Sequence, residues 1–470
     1  MNADKSRKAA AAVFAVVGLA IPDVAQAQAE EGLKGYNAAI DESSISGISA
    51  GAFMAVQFAT AWSSVIKGVG VVAGGPYWCA RADSFFGFWT SVSNAIGPCM
   101  KGPLPDLDAL FAKADAKAAS GAIDPLQFVG RQKVYIFHGY NDAVVAPAAT
   151  DAAAAFYRHY LGEANRGNLY YQAAVGAGHS LVVAQDSPSA GLNKCNENKT
   201  PFIDACGYDQ AGIILQHIYG PLKKPGPGPL TGTMKSFDQS IYTKPDGPTW
   251  LSLARTGYVF VPAACENGEP CRVHIALHGC QQDADDINIG RVFIDRAGYN
   301  AWADANRLIV LYPQTVSSWY PYNPKACWDW WGYVKFSDSY ITKAGPQIKA
   351  LKAMLDALTS GATPAPASPA ASLVLTVIDT SDIAADLAWT PQAGATGYRV
   401  WRARGDGQFT AIADVAAPGF ADSGLTPRSA YRWRITALTN GLEGPPSNEA
   451  EAVTRPAAAC ANPGSCPWGN

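Results

Sequence analysis

Over roughly its first 360 residues the chain alternates short apolar runs with longer stretches rich in small residues. The runs "GVGVVAGG" (68–75), "QKVYIFHG" (132–139), "NLYYQAAVGAGH" (168–179), "RVHIALHGC" (272–280) and "NRLIVLYPQ" (306–314) read as buried strands that end in loops. Between them, "AFMAVQFATAW", "AATDAAAAFYRHYL" and "GYNAWADAN" read as helices. Strands without a polar face must be covered on both sides, and intervening helices supply that cover. The expected fold class is therefore α/β, a mostly parallel sheet flanked by helices.

The pattern changes after "TSGATPAPASPAAS", a Pro/Ala/Ser linker at 359–372. Residues 373–456 carry short alternating strands separated by turn residues, as in an all-β sandwich. At the other end, Lys5, Arg7 and Lys8 precede the apolar "AAAAVFAVVGLAI" and the small residues of "VAQAQA". This is the pattern of a signal peptide, expected to span 1–29, so the protein is expected to be secreted, to the periplasm or the medium. No other segment is long and apolar enough to cross a membrane, so no integral membrane association is expected. The expected organisation is completed by a catalytic domain at 30–358 and a Cys-containing tail at 457–470. "GPLKKPGPGPLTG" (220–232) divides the catalytic region as a loop or linker.

Net charge is −3, which gives no reason to expect a nucleic-acid or anionic-membrane partner. The 13 Trp and 20 Tyr suit a neutral, apolar or carbohydrate-like substrate, or simply a large aromatic core, which composition alone favours. In an exported chain an even cysteine count favours disulfides. With ten cysteines, the simplest pairing joins Cys79 with Cys99, Cys195 with Cys206, Cys265 with Cys271 and Cys460 with Cys466, leaving Cys280 and Cys327 as a longer pair. No cysteine or histidine cluster has zinc spacing, so no metal site is expected.

Gly47-Ile48-Ser49-Ala50-Gly51 reads as G-x-S-x-G between a strand-like and a helix-like stretch. A serine on such a turn is pushed out above the sheet, and the glycines permit close approach of strand and helix. A nucleophilic serine needs a general base, and the base an orienting carboxylate. His179 lies in "VGAGHSLV" and Asp142 in "HGYNDAVV", each just after a predicted strand. The order Ser49, Asp142, His179 is that of α/β-hydrolases. His138 is expected to support the acid loop, while His159 and His217 fall in helix-like segments and His274 within a strand. Asp186 is a rival acid, but it follows the histidine. The oxyanion-hole donors are expected to be the N–H groups of Ala50 and of a residue in "LHGCQQD" (277–283).

That last segment resembles the oxyanion loop of secreted esterases and polyester depolymerases, and the comparison implies Cys280 as the second donor. In ordinary members of that group, pieces like "LHGC", "LIVLYPQ" and "CWDWW" precede the nucleophile; here they follow the histidine. The same pieces in rotated order imply a circular permutation. With "SGISAGAFMAVQFA", "HGYNDAVV", "GAGHSLV" and "ALHGCQQ" in register over roughly residues 40–355, the chain resembles the permuted group of the polyhydroxybutyrate (PHB) depolymerase family. The resemblance implies a circularly permuted α/β-hydrolase fold with Ser49 as nucleophile, His179 as base, Asp142 as its partner and Ala50 and Cys280 as oxyanion donors. It places aromatics, Trp330 or Trp331, at a crevice that grips the polymer; a core position is the equal alternative. Trp389, Tyr398 and "GLTPRSAYRWRITAL" resemble a fibronectin type III module, with Leu425 and Tyr431 at its leucine and tyrosine-corner positions. A spacer role is preferred there over adhesion to polymer.

The implied reaction is hydrolysis of poly(3-hydroxybutyrate) through an acyl-enzyme, with a polyester chain or granule surface as partner and no cofactor. Alternatives are a plant-wall feruloyl or acetyl esterase, or a non-catalytic binding protein on a hydrolase fold. The sequence specifies no oligomeric state.

Overall fold

The structure is a computed structural model. It describes residues 31–81, 88–103, 106–189, 191–362, 373–392, 394–439 and 442–456. The expected signal peptide, the tail with its Cys460–Cys466 pair and most of the linker lie outside the described residues. The chain divides into two compact units, Met1–Ala362 and Thr363–Asn470.

In the first unit the chain forms β1 (Ser43–Ile48), β2 (Ile66–Val72), β3 (Lys133–Phe137) and β4 (Leu169–Gln172). Three short strands follow, β5 (Leu181–Val183), β6 (Asn193–Lys194) and β7 (Ile203–Ala205), which make a small sheet of their own. Then come β8 (Thr233–Asp238), β9 (Thr256–Val261), β10 (Arg272–Leu277) and β11 (Leu308–Tyr312). The main sheet has the order β4-β3-β2-β1-β10-β11-β9-β8. Strands β4 through β11 in that order run parallel, whereas β9 and β8 are antiparallel additions at one edge. These two strands are absent from the sequence reading. The β8 residues "TMKSFD" are mostly exposed or half-exposed at the edge, so they carry no continuous apolar run.

Two apolar cores cover the sheet. Ile45, Val69 and Val71 join one, with α1 (Ala50–Ala61) and the helix Pro346–Thr359; Ile48, Val72 and Val310 join the other, with the helices Gln210–Tyr219 and Tyr299–Asn306. All twelve residues of α1 are buried, as an apolar-all-round helix requires. Disulfides join Cys79–Cys99, Cys195–Cys206, Cys265–Cys271 and Cys280–Cys327.

Strand β1 is unusual for a central strand because it carries three serines, all buried. Ser44 lies opposite His274 of β10 in the parallel register. The imidazole Nδ1 is 2.7 Å from the Ser44 hydroxyl and Nε2 is 2.8 Å from that of Ser46. Tyr219 and Tyr299 complete the chain of hydroxyls, each at 2.7 Å. A satisfied buried polar network of this kind specifies one register, because a slip by one residue would orphan every member.

The two glycines of G-x-S-x-G are required by contact. A Cβ on Gly47 would meet the Gly51 backbone at 2.3 Å, and one on Gly51 would meet the His278 carbonyl oxygen at 2.3 Å. The start of α1 thus rests directly on the end of β1 and on the end of β10.

The second unit is a sandwich of a three-stranded and a five-stranded antiparallel sheet. Trp389, Tyr398, Leu425, Tyr431 and Trp433 fill its core. The Tyr431 hydroxyl accepts from the N–H of Thr426 at 3.0 Å, which is the corner contact the resemblance implies.

Two outcomes follow from this packing. Burial pushes the imidazoles of His274 and His278 down, to about 3 and about 4. Both lie below the unfolded value of ~6.5, so their contribution is intact above that pH and lost as pH falls. Denaturant titration should show a loss of roughly 2 kcal/mol per histidine between pH 7 and pH 5. His274→Asn should shrink that decline; an unchanged decline would show that His274 does not carry it. Gly51→Ala should destabilise the unit by about 1–3 kcal/mol, since the obstructing atoms are backbone; an unchanged Tm would contradict the packing.

Candidate active site

Ser49 joins β1 to α1 with φ 56° and ψ −123°, a conformation that costs a non-glycine residue strain. The neighbours over-determine it. Its N–H donates to the Val72 carbonyl at 2.9 Å, and its own carbonyl accepts from Ala52 and Phe53. The side chain thus stands at the carboxyl end of the sheet and lines a cavity of about 490 Å³.

His179 lines the same cavity, and its Nδ1 is 2.8 Å from Oδ2 of Asp142. Both side chains are buried, the carboxylate completely. Asp142 Oδ1 accepts from the N–H groups of Val144 and Val145 at 2.8 and 2.9 Å. Burial alone would raise this carboxyl; the His179 bond and charge and the two backbone donors outweigh it and hold the group below the usual carboxylate range. With Asp142 ionised, the Nδ1 proton points at the carboxylate and Nε2 is left as an acceptor.

The acid and histidine loops are laced together. Tyr140 and Asn141 N–H groups donate to the carbonyls of Val175 and Ala177 at 3.1 and 3.0 Å. His138 braces the acid loop from below through Nε2 to the Val145 carbonyl at 3.0 Å. His159 stacks on Phe111 and His217 bonds the Asn168 carbonyl, so both serve packing. Asp186 lies exposed after the histidine and makes no bond to it among the described residues.

The β10 end supplies the opposite wall. A Cβ on Gly279 would lie 3.2 Å from that of Ser49, so this loop abuts the serine. The Gly279 N–H donates to Gln282 Oε1, and its carbonyl is 2.7 Å from His278 Nδ1. Thr315 N–H donates to His278 Nε2, which leaves the proton on Nδ1. In a trans peptide the C=O and the following N–H point opposite ways. Fixing the Gly279 carbonyl therefore fixes the direction of the Cys280 N–H. The Ala50 N–H, first in α1, is an orphan helix donor. Among the described residues neither N–H has a protein acceptor. Cys280 lines the cavity, and its side chain is tied to Cys327.

Trp330 and Trp331 both line the cavity. Trp330 is also core: its ring stacks on Phe53 at 4.2 Å and 15°. Trp331 meets Trp330 edge-on at 5.5 Å. Asp329 holds their turn by accepting from the Tyr333 and Val334 N–H groups, and burial pushes its carboxyl up to about 7. The wall and core readings thus hold together for Trp330.

Sequence reasoning missed several contributors. Trp89, on α2 (Phe88–Ile96), and Tyr322 line the cavity while remaining 77% and 58% exposed. Phe202 sets its ring edge-on to His179 at 5.7 Å. Gln282 ties the β10 loop to the carbonyls of Pro201 and Phe202. Their only sequence signals were adjacency to "LHGC" for Gln282 and aromatic identity for the rest.

No protein-family model matches the chain. The chain is 36% identical over 414 residues to a poly(3-hydroxybutyrate) depolymerase of Delftia acidovorans, covering 86% of this chain and 77% of that protein. It is 34% identical over 341 residues to a polyhydroxybutyrate depolymerase of Talaromyces funiculosus, covering 70% and 93%. Among solved structures, the PHB depolymerase from Penicillium funiculosum superposes with a TM-score of 0.62 at 32% identity, covering 71% of this chain and all of that one. A serine-to-alanine PHB depolymerase complexed with an R3HB trimer superposes with a TM-score of 0.61 at 31% identity over the same shares. At this identity over most of both chains, joined to the common fold, the chain belongs to the PHB depolymerase family.

Proposed function

We propose that the protein is a serine esterase that hydrolyses poly(3-hydroxybutyrate) to 3-hydroxybutyrate and short oligomers. The observation that carries this reading is a single cavity, mostly apolar in its lining, that holds Ser49 on a positive-φ turn beside a His179 bonded to Asp142. The family relatives named for this polymer, and the relative complexed with an R3HB trimer, support the substrate.

In the proposed mechanism Ser49 Oγ attacks the ester carbonyl as His179 Nε2 takes its proton. Charge on the resulting oxyanion collects on the N–H groups of Ala50 and Cys280. His179 then protonates the leaving hydroxyl, the acyl-enzyme forms, and water repeats the cycle. Asp142 keeps the Nδ1 proton in place and stabilises the imidazolium. Trp330 and Trp331 form the apolar wall against which the polymer lies.

The chain order supports a permuted hydrolase topology. The first strand of the main sheet is central and pairs with β10, whose His274 comes 230 residues after Ser44. Four disulfides suit an oxidising compartment and support export. No helix among the described residues is long and apolar enough to cross a membrane. The sandwich unit, 373–456, we assign as a spacer.

Ser49→Ala should abolish release of 3-hydroxybutyrate from purified polymer while leaving the circular dichroism spectrum unchanged. Full residual activity would sink the triad, and release of ferulate or acetate from wall esters in place of polymer products would sink the substrate. Cys327→Ser, which frees Cys280, should lower kcat by tenfold or more, because a lost oxyanion donor costs about 3 kcal/mol. An unchanged kcat would separate the disulfide from the oxyanion hole.

A further inference from the structure

The segment after β6 lies against the histidine loop and is closed by Cys195–Cys206. The Gly178 N–H donates to the Cys195 carbonyl at 2.8 Å. A Cβ on Gly178 would lie 2.1 Å from the Glu197 carbonyl oxygen, so the contact is backbone on backbone. Beside it, one side chain reaches both triad loops. Asn198 Oδ1 accepts from the His179 N–H at 2.8 Å and from the Ala143 N–H at 2.9 Å. Its Nδ2 donates to the Asn141 carbonyl at 3.1 Å. Two N–H groups face one terminal atom and a carbonyl faces the other, which fixes the orientation of the amide.

Apart from the His179–Asp142 bond itself, the remaining lacing between the acid and histidine loops stops short of the base. It uses the carbonyls of Val175, Gly176 and Ala177. Among the described residues, the main-chain N–H of His179 is held by Asn198 alone. The residues flanking Asp142 on both sides, Asn141 and Ala143, are held by that same amide.

We propose that Asn198 is a positioning residue for catalysis: it sets the spacing of the Asp142 and His179 loops so that the imidazole is presented in one orientation to Ser49. The assignment rests on the triad proposed above. Its chemistry is that of a neutral bridge with one acceptor shared by two donors. A carboxylate could replace the acceptor but not the donor to Asn141. The charged and titratable groups around it are Asp142 on the imidazole, the Lys199–Glu197 pair at 3.0 Å with Lys194 beside it, Lys101, whose Nζ donates to the Ala143 carbonyl at 3.0 Å, and buried Asp204, which faces Gly178 and Ser180. Burial pushes the Asp204 carboxyl up to about 7, in wild type and variants alike.

The test compares wild type, Asn198→Ala and Asn198→Asp on a soluble 3-hydroxybutyrate oligomer, with a fluorophosphonate used to titrate Ser49. Asn198→Ala should lower kcat by about 10- to 100-fold with KM nearly unchanged, since displacing a catalytic group by an ångström costs rate and not binding. Asn198→Asp should recover part of kcat through its acceptor oxygen. Its added negative charge beside His179 should also move the acid limb of the kcat/KM profile to higher pH. Wild-type kcat and pH profile in both variants would overturn the proposal, as would equal losses in both with an unmoved acid limb. If Asn198→Ala does not fold, the acid limb of Asn198→Asp decides. Failure of the wild-type enzyme to label at Ser49 would overturn the triad reading instead, which keeps the two failures distinct.

Discussion

The parallel pairing of β1 with β10 is the contact on which the site depends. It joins two strands far apart in the chain and delivers two loop ends to one place. One is the strained Ser49 turn; the other is the His278–Cys280 turn, whose Gly279 abuts the serine. The pairing is held by more than backbone bonds. His274, neutral in the core, links Ser44 and Ser46 across the strand boundary, so a register error would leave buried hydroxyls and an imidazole without partners. Small residues let the backbones touch, and Gly51 is the position where that touch is closest.

Around this pair the remaining parts are braces. His138 and the Asp142 carboxylate shape the acid loop from inside, while the acid and histidine loops bond edge to edge. His278 and Gln282 clamp the two ends of Gly279, and a disulfide ties Cys280. The histidines outside the proposed triad are therefore not idle. Each bonds a backbone carbonyl, bonds buried hydroxyls, or stacks on an aromatic ring, and the two most buried stay neutral because desolvation forbids their charge.

Much of this was legible in the sequence where local chemistry sets the outcome. Largely apolar runs marked β2, β3, β10 and β11, and G-x-S-x-G marked the strand-to-helix turn. Asp142 and His179 stood out because each follows a strand in a short loop. The edge strand β8 was not legible, since a strand on a polar edge lacks the buried run that identifies one; β9, between β11 and β8, has the buried run Val259–Val261, too short beside its polar start to stand out. Trp89 and Tyr322 were equally hidden, because a partly exposed aromatic in a loop or short helix has no periodic signature that separates a cavity wall from ordinary surface.

The sequence by itself determined the class of fold and the order of the proposed triad residues, and it made pairing of nearby cysteines the simplest expectation. These follow from residue type and short-range spacing, which the chain carries locally. Tertiary structure decided which neighbours each reactive group acquired. Asn198 reaches both triad loops, His278 sets the direction of the Cys280 N–H, and Trp330 is at once cavity wall and Phe53's stacking partner. Each of these rests on contact between segments remote in the chain. A hydrogen bond or ring stack of that kind is fixed by the three-dimensional path of both partners, which no local pattern in either segment encodes.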